Sequence, residues 1–261
     1  MPSAQATDLS SRCELLRSLH RRGDPLLLPN AWDVATARAV VAAGYPVVAT
    51  TSWGVAGSLG YADDEGAPGE EMLAAAGRIA RQVDVPVTVD AEAGYRMPPA
   101  EFVAALRAAG AAGCNLEDTD HAAGVLRDPG RQAEWLRAVR DAAFSQGYPL
   151  VINARIDVFL GPYIAGADPG SQSELVSEAL LRANAYAEAG ADCVYPILLS
   201  ETDALHRFTA EFPGAVNIMY GAGTATLAEL AEIGVARVSW GHVLYLEAMA
   251  HFEERLASLQ S

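Results

Sequence analysis

The sequence contains no lysine: all 18 basic residues are arginine, against 33 Asp and Glu, for a formal charge of −15 over 261 residues. A Schiff-base aldolase or a pyridoxal-phosphate enzyme needs a lysine amine, and a P-loop NTPase needs its phosphate lysine, so these classes are excluded. Positive charge is scarce throughout, which argues against nucleic acid and anionic membrane as partners. Cysteine is scarce too. Cys13, Cys114 and Cys193 are odd in number, widely spaced and without a CxxC pair. That pattern predicts a reducing, cytoplasmic setting with neither a disulfide framework nor a structural zinc. The N-terminus lacks a basic segment leading into an apolar core, so no signal peptide is expected. The longest uncharged stretch, 39–62, is interrupted by Gly44, Pro46, Gly54, Gly57 and Gly60. It reads as a helix end, a buried strand and a loop rather than a membrane span.

What is present is a repeating module. Short Val-, Ile- and Leu-rich runs read as strands buried on both faces. They fall near Leu26–Leu28, Pro46–Thr50, Val85–Asp90, Gly113–Glu117, Leu150–Arg155, Asp192–Pro196, Ala215–Met219 and Val235–Trp240. Amphipathic stretches of helical length lie between them, such as Glu70–Gln82, Pro98–Ala109, Arg131–Gln146 and Glu174–Ala189. Several end at a glycine shortly before a strand (Gly44, Gly110, Gly190, Gly234), where a left-handed residue stops a helix. Strands joined by helices pair in parallel, and eight such units close most economically as a (β/α)₈ TIM-type barrel. An open doubly wound sheet is the alternative, but no GxGxxG follows the first strand. An extra helix near Leu9–Arg22 precedes the barrel and a last one near Val243–Leu259 follows it. No linker is visible, so 1–261 is read as one domain.

In such a barrel the chemistry sits at the C-terminal strand ends. Strand three delivers Asp90 and Glu92, which share a face of an extended chain. Strand four delivers Glu117 and Asp118, and the loop after strand two carries Asp63, Asp64 and Glu65. Acids this close need a shared cation or proton. Oxygen ligands without His or Cys favour Mg²⁺ or Mn²⁺. Capping of the following helices is the plainer reading of any single acid. Arg155 ends strand five, placed either to clamp a substrate carboxylate or to pair with Glu117 or Asp157. Thr51 and Ser52 could bind an anionic oxygen or simply make a turn. His121 is the better histidine candidate, because its loop (118–129) is long and begins beside Glu117. The three cysteines read as buried, inert thiols.

The motifs LLLPNAWDVATAR, TTSWGVAGSLGYADDE, VTVDAEAGYR, GCNLEDTD, INARID and GVARVSWG occur in one order across about 26–245. Together they resemble the isocitrate lyase/phosphoenolpyruvate mutase superfamily. The resemblance implies a barrel whose last helix is exchanged between subunits of a homo-oligomer, a dimer or tetramer. It implies a Mg²⁺ (or Mn²⁺) site at Asp63, Asp90, Glu92 and Glu117, bound mostly through waters, with Asp90 the most direct ligand. It implies a small carboxylate substrate held by Thr51, Ser52, Trp53, Asp90, Arg155 and Asn217, with Arg155, His121 and Asp63 as the catalytic candidates. The reaction so implied is C–C cleavage in a small 2-oxo or 2-hydroxy acid, oxaloacetate-like or alkylmalate-like, through an enolate. P–C chemistry on phosphonopyruvate is one alternative and a non-catalytic metabolite-binding barrel another. One departure bears on specificity. The loop after strand four reads TDHAAGVLRDP, without the cysteine of isocitrate and methylisocitrate lyases or the lysine of the phosphonate enzymes.

Overall fold

A computed structural model describes residues 4–259, so residues 1–3 and 260–261 of the expected domain lie outside the described part. In chain order its helices and strands are α1 (Ala4–Ser18), β1 (Leu26–Leu28), β2 (Asn30–Ala31), α2 (Val34–Ala42), β3 (Val48–Thr50), α3 (Ser52–Leu59), α4 (Gly69–Ala80) and β4 (Val87–Asp90). Then come α5 (Pro99–Ala109), β5 (Gly113–Leu116), β6 (Thr119–Asp120), β7 (Val125–Leu126), α6 (Pro129–Ser145), β8 (Val151–Ile156), α7 (Leu160–Ile164), α8 (Gln172–Glu188) and β9 (Cys193–Pro196). The chain finishes with α9 (Thr202–Glu211), β10 (Ala215–Met219), α10 (Leu227–Glu232), β11 (Arg237–Ser239) and α11 (Val243–Ser258).

The main sheet runs β1-β11-β10-β9-β8-β5-β4-β3-β2, parallel at every pairing. β1 and β2 are two pieces of one extended segment parted by Pro29, which has no N–H to give. One piece pairs with the last strand and the other with β3, so the sheet closes on itself. The eight expected staves therefore form a barrel. Asn30 fastens the closure: its Nδ2 donates to the Thr50 carbonyl at 2.7 Å. Its Oδ1 accepts the Trp240 and Gly241 amides at 2.9 and 2.8 Å.

The helices form because their apolar residues recur at helical spacing. In α5, Phe102, Val103, Leu106 and Ala109 are buried. Pro99 opens the helix and Gly110 ends it in the left-handed conformation, at φ 78°. Each large side chain so buried contributes roughly 1.5–3 kcal/mol. Helix α1 lies under the barrel floor rather than on its flank. Arg12 donates to the Val83 and Val85 carbonyls, and Arg17 to Pro149, Leu150 and Asp192, all at or near the N-terminal ends of strands. It ends earlier than the expected Leu9–Arg22, because the chain then turns at His20 and Gly23 to enter β1.

Helices α3 and α7 and the β6–β7 hairpin fall within expected loops. α3 carries two glycines, a poor helical composition. A Cβ at Gly57 would lie 2.8 Å from the Tyr245 hydroxyl, and one at Gly54 would lie 2.8 Å from Trp32 Cβ and 3.2 Å from the Tyr245 ring. Tertiary contact, not propensity, demands those glycines. β6 and β7 form a short antiparallel hairpin over the barrel mouth. Among the described residues no helix is long and apolar enough to cross a membrane.

Candidate active site

The inward face of the barrel is unusually polar. Arg237, only 1% exposed, donates to Asn115 Oδ1 at 3.1 Å, and Asn153 Nδ2 donates to the same oxygen at 2.9 Å. Two donors on that oxygen leave the Asn115 amide nitrogen to face Asp90 Oδ1, at 3.3 Å. The other Asp90 oxygen accepts the Ser52 amide at 2.9 Å, at the first turn of α3. An anion is favoured there by the free amides of a helix start. Thr50 Oγ1 in turn accepts the Asp90 amide at 2.8 Å. Asp90 is thus fixed in place from both sides and from below.

Asp90, Asp63, Thr51, Ser52, Trp53 and Arg155 line one cavity of about 40 Å³, closed by Asn30, Asn115, Tyr195, Ile197, Met219, Ser239, Gly241 and His242. Six residues singled out from the sequence are therefore brought together. Asn217 is not among the lining residues: it is fully buried and donates to Ser239 Oγ at 3.2 Å, so it backs a wall residue. Asn30, Asn115, Tyr195, Ser239 and His242 form parts of the wall that strand-end reasoning passed over.

The acids divide into two groups. Burial pushes Asp63 up to about 6, with Asp90 adding to the push and the Ser52 hydroxyl opposing it. Burial also pushes Glu92 up to about 7, opposed by the Glu65 amide and reinforced by Asp63 and Asp90. Asp63 Oδ1 and Glu92 Oε2 are buried and meet no hydrogen-bond partner among the described residues. The loops that carry these acids are strained: Asp64, Glu65, Glu92, Tyr95 and Arg96 all have φ between 47° and 62°. Such strain gathers at functional sites.

Glu117 belongs to a different cluster. It is 2% exposed and paired with an Arg155 terminal nitrogen, while His121 Nε2 lies 2.9 Å from its other oxygen. Burial pushes its carboxyl up, and Arg155 and His121 pull against that. The Arg155 Nε donates to Asp157 Oδ1 at 2.6 Å. Arg155 is thus paired with two carboxylates and also lines the cavity. For His121, burial works downward, but the bond to Glu117 and the charges of Glu117, Asp64 and Glu65 outweigh it and raise the imidazole to about 8. His121 does not line the 40 Å³ cavity; it faces a neighbouring cleft with Asp64 and Asp157. Asp118 is structural, bound by Arg182 and Tyr186 at 2.9 and 2.7 Å.

Among the described residues no three acid, imidazole or thiol groups are gathered closely enough to ligate one ion. Of the four expected ligands, Glu117 is bound by Arg155 and His121. What remains is Asp90 with the unpartnered oxygens of Asp63 and Glu92, an all-oxygen, like-charged set. Buried carboxylates of this kind call for a cation or a proton, and their chemistry suits a hard, hydrated divalent ion such as Mg²⁺. The thiols of Cys13, Cys114 and Cys193 are pushed up to about 12 by burial, so none is a nucleophile.

The phosphoenolpyruvate phosphomutase family profile matches residues 16–260. A crystal structure described as a phosphonomutase from Burkholderia cenocepacia J2315 superimposes with a TM-score of 0.88 at 44% identity, covering 95% of this chain and 99% of that one. An uncharacterised protein of Mycobacterium tuberculosis is 38% identical over 240 residues, 89% of this chain and 85% of its own length. The 2-methylisocitrate lyase of Salmonella typhimurium is 29% identical over 221 residues, 80% of this chain and 71% of its own.

Proposed function

The chain belongs to the phosphoenolpyruvate phosphomutase family, within the isocitrate lyase/phosphoenolpyruvate mutase superfamily, and we propose that it is a Mg²⁺-dependent lyase that cleaves a C–C bond in a small 2-oxo or 2-hydroxy carboxylate. The observation that carries this is the fixed Asp90 carboxylate and the unpartnered Asp63 oxygen in one cavity whose wall includes Arg155, with the buried Glu92 carboxyl, outside that lining, near enough to be pushed up by both acids. Asp90 would hold the ion, with Asp63 and Glu92 on its water shell; Mn²⁺ fits the same donors. Bound there, a divalent cation supplies a Lewis acid for negative charge that develops on a substrate oxygen.

The protein's own groups supply the rest. Arg155 is turned toward the substrate carboxylate by its bonds to Glu117 and Asp157, which fix the guanidinium plane before substrate arrives. Thr51 and Ser52, which line the cavity, would offer their hydroxyls to a further substrate oxygen. Trp53, 45% exposed, stacks at 5.3 Å on His242 and shields the mouth. The Glu117–His121 pair holds a proton between Oε2 and Nε2 at the edge of the site. The β6–β7 hairpin bears that histidine and excludes water from above. Asn217 acts by supporting Ser239. We place the protein in the cytoplasm as a homo-oligomer, a reading supported by its free cysteines and by the uncovered apolar side of α11.

Turnover of oxaloacetate and alkylmalates, with Mg²⁺ and with EDTA, tests this reading; activity indifferent to EDTA contradicts it. The likeness to the Burkholderia protein favours a second reading, P–C bond chemistry. It predicts phosphate or phosphoenolpyruvate from phosphonopyruvate, and absence of both removes it.

A further inference from the structure

Arg237 lies on β11 two residues before Ser239, so its side chain enters the barrel one layer beneath the wall of the acid-lined cavity. It is 1% exposed, and burying an unpaired guanidinium is costly. Among the described residues no carboxylate binds it. Its Nη2 donates to Asn115, while Nε and Nη1 are buried without a partner. Buried water would satisfy those two donors but would not neutralise the charge. Burial pulls on the proton of this group, yet a guanidinium stays charged. The acidic groups near enough to act on it are Cys193, Tyr195, Asp90 and Cys114. Burial pushes both thiols up to about 12 and pushes the phenol up as well, so these three are neutral at pH 7. That leaves the Asp90 carboxylate, one side chain away through Asn115.

The fold does not depend on this charge. Without Arg237, Asn115 Oδ1 would still accept the Asn153 amide at 2.9 Å, and no other group would lose a partner. A buried charge that destabilises the fold and leaves nothing stranded on removal is the pattern of stability given up for function. A fixed positive charge below the cavity floor has two consequences there. It repels a cation held beside Asp90. It attracts an anion, and the negative charge that develops on a substrate oxygen, across protein with little water to screen it. Arg155, in the cavity wall, is already neutralised by Glu117 and Asp157, so its net field is small by comparison.

We infer that Arg237 is the uncompensated cation of the site, a residue that touches no reacting atom and acts by its charge from under the barrel floor, favouring an anionic substrate in the cavity and opposing the metal ion. This rests on the carboxylate-binding reading above and adds to it a group outside the cavity lining.

Arg237→Met and Arg237→Gln in the full-length protein test it, through three measurements: thermal unfolding without metal, calorimetric titration of Mg²⁺ alone, and titration of oxalate, a small dianion, in saturating Mg²⁺. Arg237→Met is expected to unfold at or above the wild-type temperature, since an apolar side chain replaces a buried unpaired charge. Both neutral variants are expected to bind Mg²⁺ at least as tightly as wild type and oxalate at least about tenfold more weakly. A merely structural residue would not move the two ligands apart in this way. Loss of folding or a lower unfolding temperature in Arg237→Met, unchanged oxalate affinity, Mg²⁺ and oxalate weakened together, or wild-type oxalate affinity in Arg237→Gln overturns the inference. Failure of the wild type to bind oxalate overturns the carboxylate-binding reading, and the inference falls with it.

Discussion

Arg155 and Glu117 form a buried ion pair at the barrel mouth, with side chains 11% and 2% exposed, and the same guanidinium also binds Asp157. Arg155→Met leaves two buried carboxylates without their counter-charge. We expect a loss of about 3–5 kcal/mol in unfolding free energy. We expect kcat/KM to fall by roughly 10²-fold or more as a preorganised cation is lost. Adding Glu117→Gln recovers part of the stability and none of the turnover. Thermal unfolding and steady-state kinetics of the two variants check this; unchanged kinetics in Arg155→Met removes Arg155 from the site.

Asn30 joins the first stave of the barrel to both of its neighbours through three hydrogen bonds. Asn30→Ala strands one carbonyl and two amides in a buried seam, which costs about 3 kcal/mol. A urea unfolding midpoint that does not move would show that the closure does not depend on this side chain.

The eight staves were legible because strands buried on both faces must be apolar from end to end. The acids were legible because an apolar strand has no use for Asp90 or Glu92 at its tip. Helix α3 was hidden, since its glycines answer to Tyr245, far along the chain. Asn30 and Ser239 were hidden for a related reason: their role lies in cross-strand partners, which no local pattern encodes. The pairing of Glu117 with Arg155 was legible as one of two readings, and strand register is what selects it. Asn115 pairs with Asn153, and two residues further along each strand come Glu117 and Arg155.

His20 provides a pH signature. Its Nδ1 bonds the Leu16 carbonyl at 2.9 Å, its Nε2 is buried without a partner, and burial followed by Arg237 lowers it to about 4. The unfolded chain therefore binds the extra proton first as pH falls. The stabilisation is complete above the ordinary histidine value of about 6.5 and is lost progressively between there and about pH 4, roughly 3 kcal/mol in all. His20→Asn should flatten that part of the stability profile. Parallel profiles for variant and wild type would contradict the assignment.

Helix α11 has no buried residue among those described, and Leu246, Met249, Phe252 and Leu256 are 38–55% exposed. An apolar stripe of this size needs a cover, and we expect a second copy of the chain to provide it. Phe252→Glu with Leu256→Glu should yield a folded monomer in sedimentation velocity, where the wild type is a dimer or larger. A monomeric wild type would contradict the expectation.

The central claim is that Asp90, Asp63 and Glu92 share a divalent ion. Titration of Mg²⁺ into chelator-treated protein, followed by heat and by thermal unfolding, tests it most directly. The account predicts one saturable site that raises the unfolding temperature and disappears in Asp90→Asn. Absence of Mg²⁺-dependent heat or stabilisation in the wild type, or an equal response in Asp90→Asn, would contradict it.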